Sequence, residues 1–84
     1  AWVDAIALLD ADDEWIDQRY WHLYVADRDF RWVRRNALVV IGNVADPADG
    51  RARRAVERYR AHIDPILAEH AAWAAARLDE RASA

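Results

Sequence analysis

The sequence predicts an all-α protein, a short HEAT-like helical repeat bundle of about five helices with an extended connector around residues 21–28. Three observations carry that expectation. Apolar residues recur at spacings of three and four along most of the chain. Aspartates stand where helices would begin, notably at Asp10, Asp29 and Asp64, the last followed by Pro65. Hydrophobic residues make up 55% of the 84 positions while glycine and proline number two each, a composition that is neither disordered nor fibrous.

Each element follows from local chemistry. Trp2, Val3, Ile6 and Leu9 predict a first helix over 1–9 with one apolar face. Asp10 is positioned to cap a second helix over 11–20, and Asp12, Asp13 and Glu14 add negative charge at its positive end. That helix is expected to turn Trp15 and Ile16 inward. The stretch Trp21 to Ala26 lacks helical periodicity and predicts an extended connector. Asp27 or Asp29 can then cap a long helix over 30–44, whose stripe of Phe30, Val33, Ala37, Val40, Ile41 and Val44 is backed by Trp32 and Val39 on its other side. A helix apolar on two sides is expected to be sandwiched between neighbours.

Gly42-Asn43 and Asp46-Pro47 read as a stop. A fourth helix is expected over 47–62, burying Ala52, Ala55, Val56, Tyr59 and Ile63 and exposing Arg51, Arg53, Arg54, Glu57, Arg58 and Arg60. Asp64-Pro65 opens a fifth over 65–81, with Ile66, Leu67, His70, Ala71, Ala74 and Leu78 on one face and Trp73 at its edge. Ala82 to Ala84 are expected to fray. Two regions result: residues 1–28, helices and a connector leading from an upstream domain, and residues 29–84, the repeat itself. The five tryptophans are read mostly as core anchors.

Composition removes several function classes. Without cysteine, this chain can supply no disulfide framework, thiolate-held cluster or thiol nucleophile. His22 and His62 have no partners at metal-ligand spacing, so no metal is expected. The longest apolar run is Ala71 to Ala76, far short of the roughly 20 residues of a membrane span. All twelve basic residues are arginine, a pattern that GC-rich coding also produces. No Gly-rich phosphate loop, nucleophile elbow or paired carboxylate site is legible. The chain opens on Ala1 and contains no methionine, and so reads as a piece of a longer protein.

The formal charge of −3 is an average over unequal parts. The first eighteen residues hold six acidic side chains and no basic one, whereas Arg19 to Arg35 holds five arginines against Asp27 and Asp29. The arginine-rich centre can face an anionic partner, or pair with the acidic start and fix the fold.

Sliding the chain by 34 positions lays residues 33–41 on residues 67–75, each segment preceded by an aspartate. A period of that size in a helical chain points to stacked helix pairs. At these residues the sequence also resembles a known family. Arg34-Arg35-Asn36-Ala37-Leu38-Val39-Val40-Ile41-Gly42-Asn43, followed by Glu69-His70-Ala71-Ala72-Trp73-Ala74, is similar to the C-terminal helical domain of epoxyqueuosine reductase. The stretch through Trp21, Tyr24, Arg28 and Trp32 is similar to the connector that precedes that domain. The likeness is best from Trp32 to Leu78 and is specific in the combination of its two halves.

The resemblance implies a cytoplasmic oxidoreductase of queuosine biosynthesis that acts on the wobble position of certain transfer RNAs. It implies a parent using a corrinoid, cobalamin, and two [4Fe–4S] clusters held by upstream parts, with none of those ligands in this chain. This chain would then be no catalyst alone. Its partners would be the tRNA anticodon arm and the upstream cluster and corrinoid domains of the same chain. The resemblance favours Arg34 and Arg35 as phosphate or base contacts, with Arg28 and Arg31 beside them and Trp32 or Tyr24 available for stacking. Asn36 is expected to tie a neighbouring loop's backbone, Asn43 to act as a structural stop, and His70 to be a satisfied core histidine. Glu57 among the fourth helix's arginines argues for a solvated, partly self-paired face rather than a second phosphate strip. The alternative function is a helical-repeat module that binds another protein and has no RNA role.

Overall fold

A computed structural model describes residues 2–19 and 29–84. The described residues form five helices and no strand, so the all-α expectation holds: α1 Trp2–Asp10, α2 Asp13–Arg19, α3 Arg31–Val44, α4 Gly50–Arg60 and α5 Pro65–Ser83. The expected connector over 21–28 lies outside the described residues, as does Arg28.

The long helices close a ring. α3 packs on α5 and α1, and α4 packs on the same two helices from the other side. Ile16 of α2, Leu38 and Ile41 of α3, Val56 of α4 and Leu78 of α5 are the largest fully buried side chains of one continuous core. Each such aliphatic side chain contributes roughly 1.5–3 kcal/mol by leaving water. Alanines at 37, 52, 55, 71, 74 and 75 line the contacts between helices, where a small side chain lets backbones approach. α3 is thus held between two neighbours, although Trp32, Val40 and Val44 of its predicted apolar sides stay exposed.

Aspartates cap α2, α4 and α5, two of them at other residues than expected, and α3 departs from the pattern. At α2 the cap is Asp12, whose Oδ1 accepts from the Trp15 amide at 2.8 Å, and not Asp10, which ends α1 and pairs with Arg58. At α4 the start is not Pro47 but Gly50. Asp46 instead folds a tight turn, its carboxylate accepting from the Ala48 amide, and Asp49 caps the helix through the Arg51 and Ala52 amides. Two aspartates three residues apart compete here, and the turn that brings α4 back against α1 uses the first. Asp64 caps α5 through the Ile66 amide with Pro65 in the first turn, as the sequence indicates. At α3 the N-cap residue is not Asp29 but Phe30, with no side-chain cap bond, and Asp29 accepts from the Arg31 amide at 3.0 Å from one residue further out. Asp27, the other expected cap, lies outside the described residues.

Several burial expectations fail for one reason: periodicity says which residues share a face, not which face meets a partner. Ile63 falls in the turn after α4 and is 95% exposed. Val40 and Val44, assigned to the buried stripe of α3, are exposed, and Leu38 takes the inward position. Trp15, Trp32 and Trp73 are each more than a third exposed, so the described tryptophans are not mainly core anchors. Gly42 is not a stop but a buried residue inside α3. A Cβ there would lie 2.7 Å from Trp73 Cζ3 and 3.2 Å from Ala74 Cα, so glycine is what allows α5 to approach. The chain end is helical to Ser83, whose hydroxyl donates to the Asp79 carbonyl.

Candidate functional site

Three of the four arginines singled out by sequence lie at the start of α3, and the structure gives each a different environment. Arg34 is turned inward, its side chain 11% exposed. Its guanidinium donates to the Ala11 carbonyl at 3.0 Å, to the Leu8 carbonyl and Tyr59 hydroxyl at longer range, and to Asp13 at 2.5 Å. Arg58 and Tyr59 of α4 reach the same end of α1, both donating to the Leu9 carbonyl. Together the three side chains satisfy carbonyls that a helix C-terminus leaves unpaired, and the two guanidiniums place positive charge at its negative end. Of the two roles open to Arg34, pairing with the acidic start is the one its contacts serve.

Arg31 donates to Asp64 at 2.5 Å, joining the start of α3 to the cap of α5. Burial opposes ionisation of Asp64 and is the largest single influence on it. The Arg31 hydrogen bond, the Ile66 amide and the charges of Arg31 and His62 together still hold its pKa below the ordinary 3.8. Arg31 and Arg34 share a groove of about 420 Å³ with Asp13, Asp29, Asp64 and His62. Three carboxylates against two guanidiniums give that groove no net pull on a phosphate.

Arg35 differs. Its guanidinium lies 5.0 Å from the centroid of the Trp32 ring and donates to Asn36 Oδ1 at 2.8 and 3.3 Å, and among the described residues no carboxylate pairs with it. Trp32 is 46% exposed, and Arg31 approaches the same ring at 5.8 Å. An exposed indole flanked by guanidiniums can stack on a base while the cation meets a phosphate. Asn36 is exposed, and its Oδ1 accepts from Arg35; among the described residues it bonds to no loop backbone.

The second half of the resemblance meets the first in space. Gly42 lies against Trp73 and Ala74, and Val39 and Asn43 of α3 line a groove of about 340 Å³ with Glu69, His70 and Trp73 of α5. His70 is half-buried, with Nδ1 2.8 Å from the Ile66 carbonyl one turn back, so it is satisfied locally. Asn43 is exposed on the rim of this groove. Arg81 closes the lower end of α3, donating to the Ile41 and Gly42 carbonyls. Sequence reasoning did not find that Val40 and Val44 are exposed, because both read as core. Among the described residues no cluster of three metal-ligating side chains occurs, and no helix is long and apolar enough to cross a membrane.

No protein-family profile, no curated protein and no solved structure matches this chain.

Proposed function

We propose that this chain is the tRNA-facing and scaffold part of an epoxyqueuosine-reductase-like iron–sulfur protein. What supports the reading is that the two separated motif halves act as one unit: Gly42 opens the space that Trp73 and Ala74 fill, and Asn43, Glu69 and His70 surround the same contact. The scaffold role is supported by exposed apolar side chains, Val40 and Val44 on α3 and Trp73 on α5, suited to packing on another domain. The RNA-facing role rests on Arg35 and Trp32, the cation and exposed ring left over once Arg31 and Arg34 are taken up by Asp64 and Asp13.

The experiment is a salt titration of binding to a tRNA anticodon stem-loop, with Arg35→Glu compared with the parent sequence. Loss of one phosphate contact lowers affinity at low salt and reduces the salt slope by about 1. Unchanged affinity at low salt removes the RNA role from Arg35. The genomic sequence upstream supplies a separate check: a Cys-x2-Cys-x2-Cys-x3-Cys-Pro run supports the enzyme reading, and its absence sinks it.

A further inference from the structure

The groove between α1 and α4 is unlike the other two. It measures about 410 Å³, with Val3, Ile6 and Ala7 of α1 on one wall and Arg51, Arg54 and Arg58 of α4 on the other. Val3 is 50% exposed, and Arg51 and Arg54 are exposed as well. The arginines occur at spacings of three and four, so they form a row along one helix face, with about 10 Å of helix axis from first to last.

The row is partly filled already. Arg58 binds the carboxylate of Asp10, which also lines the groove, at 2.5 Å. Among the described residues Arg51 and Arg54 have no ion pair, although Arg53 of the same helix pairs with Asp79 and Arg60 with Glu57. The groove therefore accepts a carboxylate at one end and presents two further guanidiniums, one and two turns upstream, neither in an ion pair, Arg51 acting only at longer range on the α4 cap Asp49. Aliphatic side chains face them, and no aromatic ring lines the groove on which a base could stack.

The geometry points to this groove as a docking site for an acidic amphipathic peptide segment of a partner protein. Its carboxylates would continue the row that Asp10 begins, on Arg54 and Arg51, and its apolar side chains would cover the exposed Val3 and Ala7. Guanidinium–carboxylate pairing gives direction and register, and the apolar wall supplies the burial that separates this ligand from a bare polyanion. The site does not rest on the RNA reading, since it uses another helix and none of the residues assigned to RNA.

The test is fluorescence anisotropy with a labelled helical peptide built of glutamate and leucine on opposite faces, alongside polyglutamate and oligouridylate probes. The expected result is binding that weakens with salt and falls at least about tenfold in Arg51→Ala/Arg54→Ala. It also falls in Val3→Ser and is unchanged in Arg77→Ala, a variant on α5 away from the groove. Amide resonance shifts on the unaltered chain, confined to α1 and α4, give the same answer without any substitution. The proposal is overturned if the amphipathic peptide does not bind, or if polyglutamate binds as tightly. It is likewise overturned if oligouridylate occupies the same residues with equal affinity, or if the chain dimerises through the groove and the double variant abolishes that dimer.

Discussion

Replacing Arg34 with alanine tests whether this residue holds the fold together. Its hydrogen bonds are not of equal weight. The Leu8 carbonyl keeps a bond from the Ala11 amide, and the Tyr59 hydroxyl keeps its own to the Leu9 carbonyl, so neither is orphaned. Asp13 has a side chain 67% exposed and regains water, which limits that ion pair to about 1 kcal/mol or less. The main loss is the 3.0 Å bond to the Ala11 carbonyl, a charged donor contact in the range of roughly 1.5–3 kcal/mol, together with the packing of a nearly buried aliphatic stem. The total is about 3 kcal/mol, a large share of the 5–15 kcal/mol of a typical domain.

Urea unfolding followed by far-ultraviolet circular dichroism measures it, as a midpoint shift at constant slope. Two comparisons make the result specific. Asp13→Ala is expected to cost under about 1 kcal/mol, because it removes the exposed partner alone. Arg54→Ala, an exposed arginine with no ion pair among the described residues, is expected to stay within about 0.5 kcal/mol of the parent. A cost below about 1 kcal/mol for Arg34→Ala, or one equal to that of Asp13→Ala, refutes the reasoning. It would mean that the Ala11 carbonyl is satisfied without this side chain.

Two other perturbations test the contact between α3 and α5 and the acid limit of the fold. Gly42→Ala gains about 1 kcal/mol of helix propensity but forces Trp73 and the Ala74 backbone aside, an overpacking cost of roughly 1–3 kcal/mol, so a net loss of about 1 kcal/mol is expected. Most of that loss should vanish in a Trp73→Leu background, and a double-mutant cycle showing simple additivity would refute the contact. Asp49 has its pKa held below the ordinary 3.8, chiefly by the hydrogen bond from the Trp2 indole, with the Ala52 and Arg51 amides assisting against burial. A depressed folded-state pKa adds stability that is complete above about pH 4 to 5 and is lost as pH falls through the folded value. Trp2→Phe should therefore give a shallower decline in unfolding free energy from about pH 5 to pH 2 than the parent shows. Parallel declines would rule out the Trp2 bond as the cause.

What could be read from the chain, and what could not, divides at the range of the interaction. Asp64-Pro65 specifies the start of α5 by contacts within two residues, and the structure keeps it. Asp46 and Asp49 are both competent caps by the same rule, and only the return of α4 toward α1, fixed by the Trp2–Asp49 bond across 47 positions, decides between them. Gly42 carries the stop signal that glycine usually carries, yet its function depends on a tryptophan 31 residues later and becomes visible only when α5 is docked. The uneven charge was legible, with pairing and an anionic partner both open to the arginines of the centre. Pairing takes up Arg34, and Asp64 takes up Arg31, so among the described residues Arg35 on α3 and Arg51 and Arg54 on α4 are guanidiniums in no ion pair. The acidic start thus has a second consequence beyond fixing the fold: by pairing with Arg34 and Arg58 it determines which arginines are left without a carboxylate. The surface that meets a partner is set by the same contacts that close the ring of helices.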